Sequence, residues 1–114
     1  MASQQMQQLV NQAQVYQQQA QLYAAQKETL NMQMLEIEKA LKELETSPED
    51  KIYKIAGPIL IKAGKEDVRK ELQEKKDFLL LKIQTIDKSE KKAKEKLEEI
   101  KQKLTSPKDR PEAG

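Results

Sequence analysis

The sequence predicts a mainly α-helical protein, an antiparallel two-helix coiled coil whose helices are joined by a β-hairpin. Apolar residues recur at alternating intervals of three and four along two long stretches, which is the period of a coiled-coil seam. Between these stretches, near the middle of the 114 residues, β-branched and aromatic side chains crowd into a short segment that is split by Gly57-Pro58. Charged residues make up 35% of the chain and aromatic residues only 4%, a composition typical of long helices.

The first helix is predicted over about residues 4–45. Residues 1–26 carry no charged side chain and are rich in Gln, which has good helix propensity. The seam has one position that is not apolar, Lys27, and reads Met6, Leu9, Ala13, Tyr16, Ala20, Tyr23, Lys27, Leu30, Met34, Ile37, Leu41 and Leu44. Thr46-Ser47-Pro48 ends the helix, because a residue that precedes proline disfavours the α region.

The second helix is predicted over about residues 65–104, and its first turn carries Glu66 and Asp67 at the positive end of the helix dipole. Its seam reads Val68, Leu72, Lys75, Leu79, Ile83, Ile86, Glu90, Ala93, Leu97, Ile100 and Leu104. Two successive intervals of four around Leu79 predict a stutter, a local unwinding of the supercoil. The apolar run from Phe78 to Leu81 predicts a thickened packing layer there. Residues 105–114 are expected to form a disordered tail.

The hairpin is predicted over about residues 51–63, with the turn at Gly57-Pro58. Both of its faces are apolar, and an isolated two-stranded hairpin is only marginally stable in water. Its edges also leave backbone groups unpaired, so we expect partner chains to extend the sheet or to close it into an intersubunit β-barrel platform. The alternative is a hairpin that folds back onto its own helices. The expected interface residues are Ile52, Tyr53, Ile55, Gly57, Pro58, Ile59, Leu60 and Ile61.

Composition argues against several other classes of function. The chain has no His and no Cys, and it has no Gly-rich phosphate loop, so we expect no catalytic residues, no metal site and no cofactor. A net charge of +2 is too balanced to indicate nucleic-acid binding, and the basic run from Lys88 to Lys96 is interpreted as a solvated helix face. We also find no apolar run long enough to span a membrane and no signal peptide, which makes a cytoplasmic protein the expectation.

A second apolar group is expected where the two helices end, opposite the hairpin. Fraying of a coiled coil at its open end exposes seam residues, and Met adapts to varied binding surfaces. These residues are therefore candidates for a binding tip, although they also fit a seam that simply continues to the end of the helices. They are Met1, Met6, Leu9, Val10, Leu97, Ile100 and Leu104.

One segment carries a specific resemblance. A Gln-rich helix, then Ile52-Tyr53-Lys54-Ile55-Ala56-Gly57-Pro58-Ile59-Leu60-Ile61-Lys62, then a charged helix, is similar to the prefoldin β subunit of archaeal type. The resemblance extends over about residues 6–104. The single hairpin suggests the β class, because α-class subunits carry two.

This resemblance implies a single prefoldin-like domain over residues 1–114 and a set of partners. It implies a hexamer of two α and four β subunits, in which the strands form a double β-barrel platform and the coiled coils project from it. The tips, here about residues 1–14 and 97–104, are implied to capture unfolded proteins without ATP and to deliver them to a group II chaperonin. A structural coiled-coil adaptor, joined to fixed partners through the hairpin, is the alternative function.

Overall fold

The computed structural model describes residues 3–105. In chain order the elements are helix α1 (Gln4–Thr46), strand β1 (Lys51–Ala56), strand β2 (Ile59–Gly64) and helix α2 (Lys65–Thr105). The two strands form an antiparallel two-stranded sheet. The predicted fold class, two long helices joined by a β-hairpin, is confirmed. Met1 and the segment 106–114, which holds most of the predicted tail, lie outside the described residues.

Side chains and backbone groups define both ends of α1. Ser3 acts as the N-cap, because its Oγ accepts a hydrogen bond of 3.1 Å from the backbone N–H of Met6. At the other end, the Ser47 N–H still donates to the Glu43 carbonyl over 3.0 Å, and Pro48 follows. The helix therefore ends at the Thr46-Ser47-Pro48 segment, as the sequence predicts.

The chain divides into two compact units. We call residues 29–83, which include both strands, the hairpin unit, and the described residues 3–28 and 84–105 the terminal unit. In the hairpin unit the buried apolar side chains are those of Met34, Leu44 and Leu79. In the terminal unit they are Ala20, Ala93 and Ile100. Each unit thus buries side chains from α1 and from α2.

The seam predicted for α1 matches the buried side of that helix. All its positions from Met6 to Leu44 are buried or half-buried, Lys27 included. Among the other residues of α1, only Ala40 is not exposed. The regular spacing of apolar residues was sufficient to find this face, because a narrow a/d stripe is all that a two-helix packing buries.

The seam predicted for α2 is wrong at one position. Lys75 is exposed, and Lys76 is half-buried in its place. The Lys76 Nζ lies 3.9 Å from Glu38 Oε1 on α1, so its aliphatic stem can cover apolar surface while its charge reaches an acidic partner. With Lys76 in the seam, the two successive intervals of four lie around Leu72 (Val68, Leu72, Lys76) instead of around Leu79, and the alternation of three and four is regular from Lys76 onward.

The thickened packing layer predicted at Phe78–Leu81 is also wrong. Only Leu79 is buried in this run, whereas Phe78 is 59% exposed and Leu81 is 63% exposed. The Lys82 Nζ lies 4.9 Å from the centroid of the Phe78 ring, a cation–π contact on the helix surface. The seam between two helices is too narrow to cover four consecutive residues, because successive side chains lie about 100° apart around a helix.

Candidate functional site

The hairpin turn is built by two residues with complementary backbone preferences. Gly57 has a φ of 61°, a conformation that L-residues with a Cβ rarely adopt. Pro58 follows with its φ fixed near −65°. Glycine at positive φ in the first central position is the pattern of a type II′ turn, whose twist matches that of paired strands. The predicted turn therefore sets a tight register between β1 and β2.

The register assigns every side chain of the hairpin to one of two faces. Tyr53 lies opposite Lys62, and Ile55 lies opposite Leu60. Residues directly opposite each other share a face, so these four form what we call the outer face. Ile52 opposite Ala63, Lys54 opposite Ile61, and Ala56 opposite Ile59 form the inner face.

The inner face is held on the helices of the hairpin unit. Ile52 is half-buried, and it lines a groove together with Leu44 of α1 and Leu72 of α2. Lys54 reaches α2, where its Nζ donates to both carboxylate oxygens of Glu71 at 2.7 and 2.9 Å. These bonds hold the pKa of Glu71 below its ordinary value. The hairpin thus does fold partly onto its own helices, which was the alternative considered from the sequence, and it does so mainly through Ile52 and Lys54 of its inner face.

Two backbone-directed contacts close the base of the hairpin. The Lys65 N–H donates to the Asp50 carbonyl over 2.8 Å, at the point where β2 passes into α2. The Lys65 Nζ donates to the Ser47 carbonyl over 2.7 Å, just after the end of α1. The hairpin is therefore anchored at its base as well as through its inner face.

The outer face is open to solvent, and it is apolar except for Lys62. Tyr53 is 67% exposed, Ile55 is 78% exposed and Leu60 is 67% exposed. On the inner face near the turn, Ile59 and Ile61 are exposed as well, and Gly57 and Pro58 are exposed in the turn itself. The structure thus brings all the expected interface residues together on one hairpin and leaves most of them accessible, with Ile52 the exception. A cluster of exposed large apolar side chains is the usual mark of an interaction surface.

The expected tip residues that the structure describes all belong to the terminal unit, but they differ in accessibility. Val10 is 39% exposed, whereas Ile100 is buried at 6%. Met6, Leu9, Leu97 and Leu104 are half-buried in the seam. Met1 lies outside the described residues. The packed unit therefore offers Val10 directly, and it offers Ile100 only where the helix ends separate.

Two further exposed apolar residues of the terminal unit, Val15 and Leu22, were not predicted from the sequence as part of a binding surface. They are 50% and 58% exposed, more than any of the described tip residues. They were overlooked because they lie outside the seam. Their signal in the sequence is their spacing of seven, which places them on one stripe of α1 that is separate from the seam.

The two charged exceptions in the predicted seams pair with each other. The Lys27 Nζ lies 2.6 Å from Glu90 Oε1 and 2.9 Å from Asp87 Oδ1. Lys94 and Lys91 add ion pairs to Glu90 and Asp87 at 3.3 and 3.2 Å. Glu90 is only 5% exposed, so its charge depends on these partners. This pairing had a signal in the sequence, because Lys27 and Glu90 carry opposite charges and occupy seam positions about equally far from the hairpin turn.

These contacts fix how the cluster responds to pH. The hydrogen bond from Lys27 holds the pKa of Glu90 and that of Asp87 below their ordinary values of 4.5 and 3.8. Their stabilising contribution is therefore present above those values and is lost as the pH falls through the lowered pKa values. The pKa of Lys27 is raised above 10.5, chiefly by Glu90, so its contribution is lost only as the pH rises past the raised pKa.

We expect Lys27→Met to lower the melting temperature at pH 7, because it leaves the buried carboxylate of Glu90 without its closest partner. The loss should shrink as the pH falls through the lowered pKa of Glu90, because the wild type then loses this interaction as well. Lys27→Met combined with Glu90→Leu should recover most of the stability, since the pair is then replaced by apolar packing. Circular dichroism melts measure this, with exposed Lys88→Met as the control. A Lys27→Met protein that melts like the wild type at pH 7 would contradict the role of the pair.

The described residues offer little for other kinds of chemistry. Within residues 3–105, no group of acidic side chains has the arrangement of a metal site. In the same part of the chain, neither helix is long and apolar enough to cross a membrane.

Comparison with known proteins decides the family. A family model described as "Prefoldin subunit" matches residues 7–107, which is most of the chain. The chain belongs to the prefoldin family. The resemblance predicted from the hairpin segment is thereby confirmed, and the match places this prefoldin chain among the subunits of a chaperone complex.

Individual relatives agree with this assignment. A Pyrococcus horikoshii protein named prefoldin subunit beta is 38% identical over 111 residues, covering 96% of this chain and 95% of its own. An Archaeoglobus fulgidus protein of the same name is 40% identical over 101 residues, covering 88% and 87%. The crystal structure of the prefoldin beta subunit from Thermococcus strain KS-1 matches with a TM-score of 0.89 and 34% identity, covering 97% and 98%. The β-class prefoldin fold thus accounts for almost the whole chain.

Proposed function

We propose that this chain is a β-type subunit of an ATP-independent holdase, which captures unfolded proteins and passes them to a group II chaperonin. In this proposal the hairpin joins an intersubunit β-barrel platform with prefoldin α subunits, in a hexamer of two α and four β chains. The terminal unit supplies the surface that meets the client.

The observation that carries the assembly half of the proposal is the open outer face of the hairpin. Tyr53, Ile55 and Leu60 are large apolar residues that are each at least two-thirds exposed. Covering these side chains would be favourable by about 25 cal/mol for each Å² of apolar surface removed from water. The inner face, in contrast, is tied to Glu71 through Lys54. A hairpin fixed on one side and open on the other is suited to pairing with a neighbouring hairpin.

The client-binding half is supported by the character of the terminal unit. Exposed Val10, Val15 and Leu22 lie in a segment of α1 that carries no charge up to Gln26. Apolar side chains among uncharged amides can meet many client sequences, because no fixed charge selects for or against them. Each such contact is weak, and several subunits acting on one client would raise the avidity.

We expect the complex assembled with a prefoldin α subunit to suppress aggregation of a chemically denatured client without nucleotide. The chain offers no Gly-rich phosphate loop, so added ATP should change the light-scattering curve by less than about twofold. Light scattering after dilution from denaturant measures this, with serum albumin at equal mass as the control. A structural adaptor would leave aggregation unchanged, and that result would overturn the proposal.

A further inference from the structure

A shallow groove lies between α1 and α2 in the terminal unit. Its α1 wall is formed by Tyr16, Gln19 and Tyr23, and its α2 wall by Lys92, Ala93 and Lys96, with Ser89 at one side. Its volume is about 270 Å³. Pockets for small molecules typically measure about 300–1,000 Å³, so this groove is sized for one or two side chains of a longer segment.

The α1 wall is apolar and uncharged. Tyr16 and Tyr23 are half-buried, so their rings contribute to the seam and to the groove at once. Val15 and Leu22 lie four residues before and three residues after Gln19, which puts them on the same stripe of the helix. Both are at least half exposed. The wall therefore continues along α1 as an apolar surface flanked by glutamines.

The α2 wall is cationic. The Lys92 side chain is exposed, and within residues 3–105 it forms no ion pair. Lys96 lies 3.8 Å from Glu99, at a distance that only a weak surface pair would have. No acidic residue faces these lysines from the α1 wall, because residues 3–26 carry none. The groove thus combines one apolar wall with one positive wall.

We propose that this groove binds an extended segment of an unfolded protein in which an acidic side chain neighbours apolar ones. The inference rests on the proposed function and adds to it a lateral binding surface, away from the helix ends, with a preferred client chemistry. Apolar side chains would cover Val15, Leu22 and the tyrosine rings, while the carboxylate would approach Lys92. A nucleic acid fits less well, since one whole wall offers no positive charge to a phosphate backbone.

The charge arm of the test uses two fluorescein-labelled peptides, one with Leu and Glu residues and one with each Glu replaced by Gln. Binding to the complex assembled with a prefoldin α subunit is measured by fluorescence anisotropy. Lys92→Glu should weaken binding of the Glu peptide about fivefold or more, and binding of the Gln peptide less than about twofold. Lys88→Glu is the same charge change outside the groove, and it should change the affinity for either peptide by less than about twofold relative to the wild type. Equal effects of the two variants would overturn the inference.

The apolar arm uses two leucines with the same exposed fraction, 58%. Leu22→Gln, on the stripe of α1 beside the groove, should weaken binding of both peptides about threefold or more. Leu35→Gln in the hairpin unit should leave the binding of both peptides unchanged. If complexes with Leu22→Gln or Lys92→Glu bind both peptides like the wild type and still suppress aggregation, the proposed binding at the groove is wrong and the holdase proposal stands. If no version of the complex suppresses aggregation, the proposed function itself fails.

Discussion

Ile55→Asp should abolish assembly with a prefoldin α subunit while leaving the isolated chain folded. Ile55 is 78% exposed in the single chain, so a carboxylate there remains in water and costs the fold little. In a platform that covers the outer face, the same carboxylate would be buried beside Leu60, its cross-strand neighbour, at a cost of several kcal/mol. We expect association to weaken more than about 100-fold, since about 2.7 kcal/mol suffices for that factor.

The measurement is the mass of the mixed complex by multi-angle light scattering, with helix content from circular dichroism. Leu81→Asp is the matched control, because Leu81 is 63% exposed but lies on α2 and not on the hairpin. A complex of normal mass with Ile55→Asp would show that the outer face is not the assembly surface. If Leu81→Asp also blocks assembly, the interface extends down the helices.

Removing residues 1–10 together with everything from Leu97 onward should reduce the suppression of client aggregation several-fold. The deletion removes the expected tip residues, and binding that depends on avidity falls steeply when each contact weakens. Assembly should persist, because the deletion leaves the whole hairpin unit in place. Light scattering with a denatured client measures the loss, with the deleted and full-length complexes compared at the same molar concentration.

The matched control for this deletion removes only residues 106–114, a segment with Lys108, Asp109, Arg110 and Glu112 and little apolar surface. It should protect clients nearly as well as the full chain. If the tip-deleted complex protects the client as well as the full-length complex, the client contacts another part of the terminal unit. The groove between Tyr16 and Lys92 is then the leading candidate.

The sequence was most informative where one physical rule acted alone. The seam of α1 follows from apolar periodicity, and the hairpin turn follows from the backbone preferences of Gly57 and Pro58. Periodicity could not choose between Lys75 and Lys76, because either lysine can lay its stem along a seam and the choice depends on reaching Glu38. It also could not show that Phe78 and Leu81 stay outside, since an apolar run is compatible with burial and with exposure.

The candidate surfaces were predicted in part for a similar reason. Alternation along the strands identified which hairpin residues share a face, but the structure was needed to show which face lies on the helices, through the Lys54–Glu71 contact and the half-burial of Ile52. The partner of Lys27 could have been anticipated from the opposite charge of Glu90 in the other seam. The exposed stripe of Val15 and Leu22 beside the groove was not predicted, because the apolar periodicity of α1 identifies its buried stripe and not the neighbouring one.

The two faces of the hairpin should leave different traces in the evolution of this protein. Ile52 contacts its surroundings within one polypeptide, so a change in its size should be accompanied by compensating changes at Leu44 or Leu72 of the same gene product. Ile55 and Leu60 lie opposite each other across the strands, but each remains at least two-thirds exposed in the described chain. Their substitutions should instead covary with residues encoded by another gene, and paired alignments of β- and α-type sequences from the same genomes would reveal that coupling.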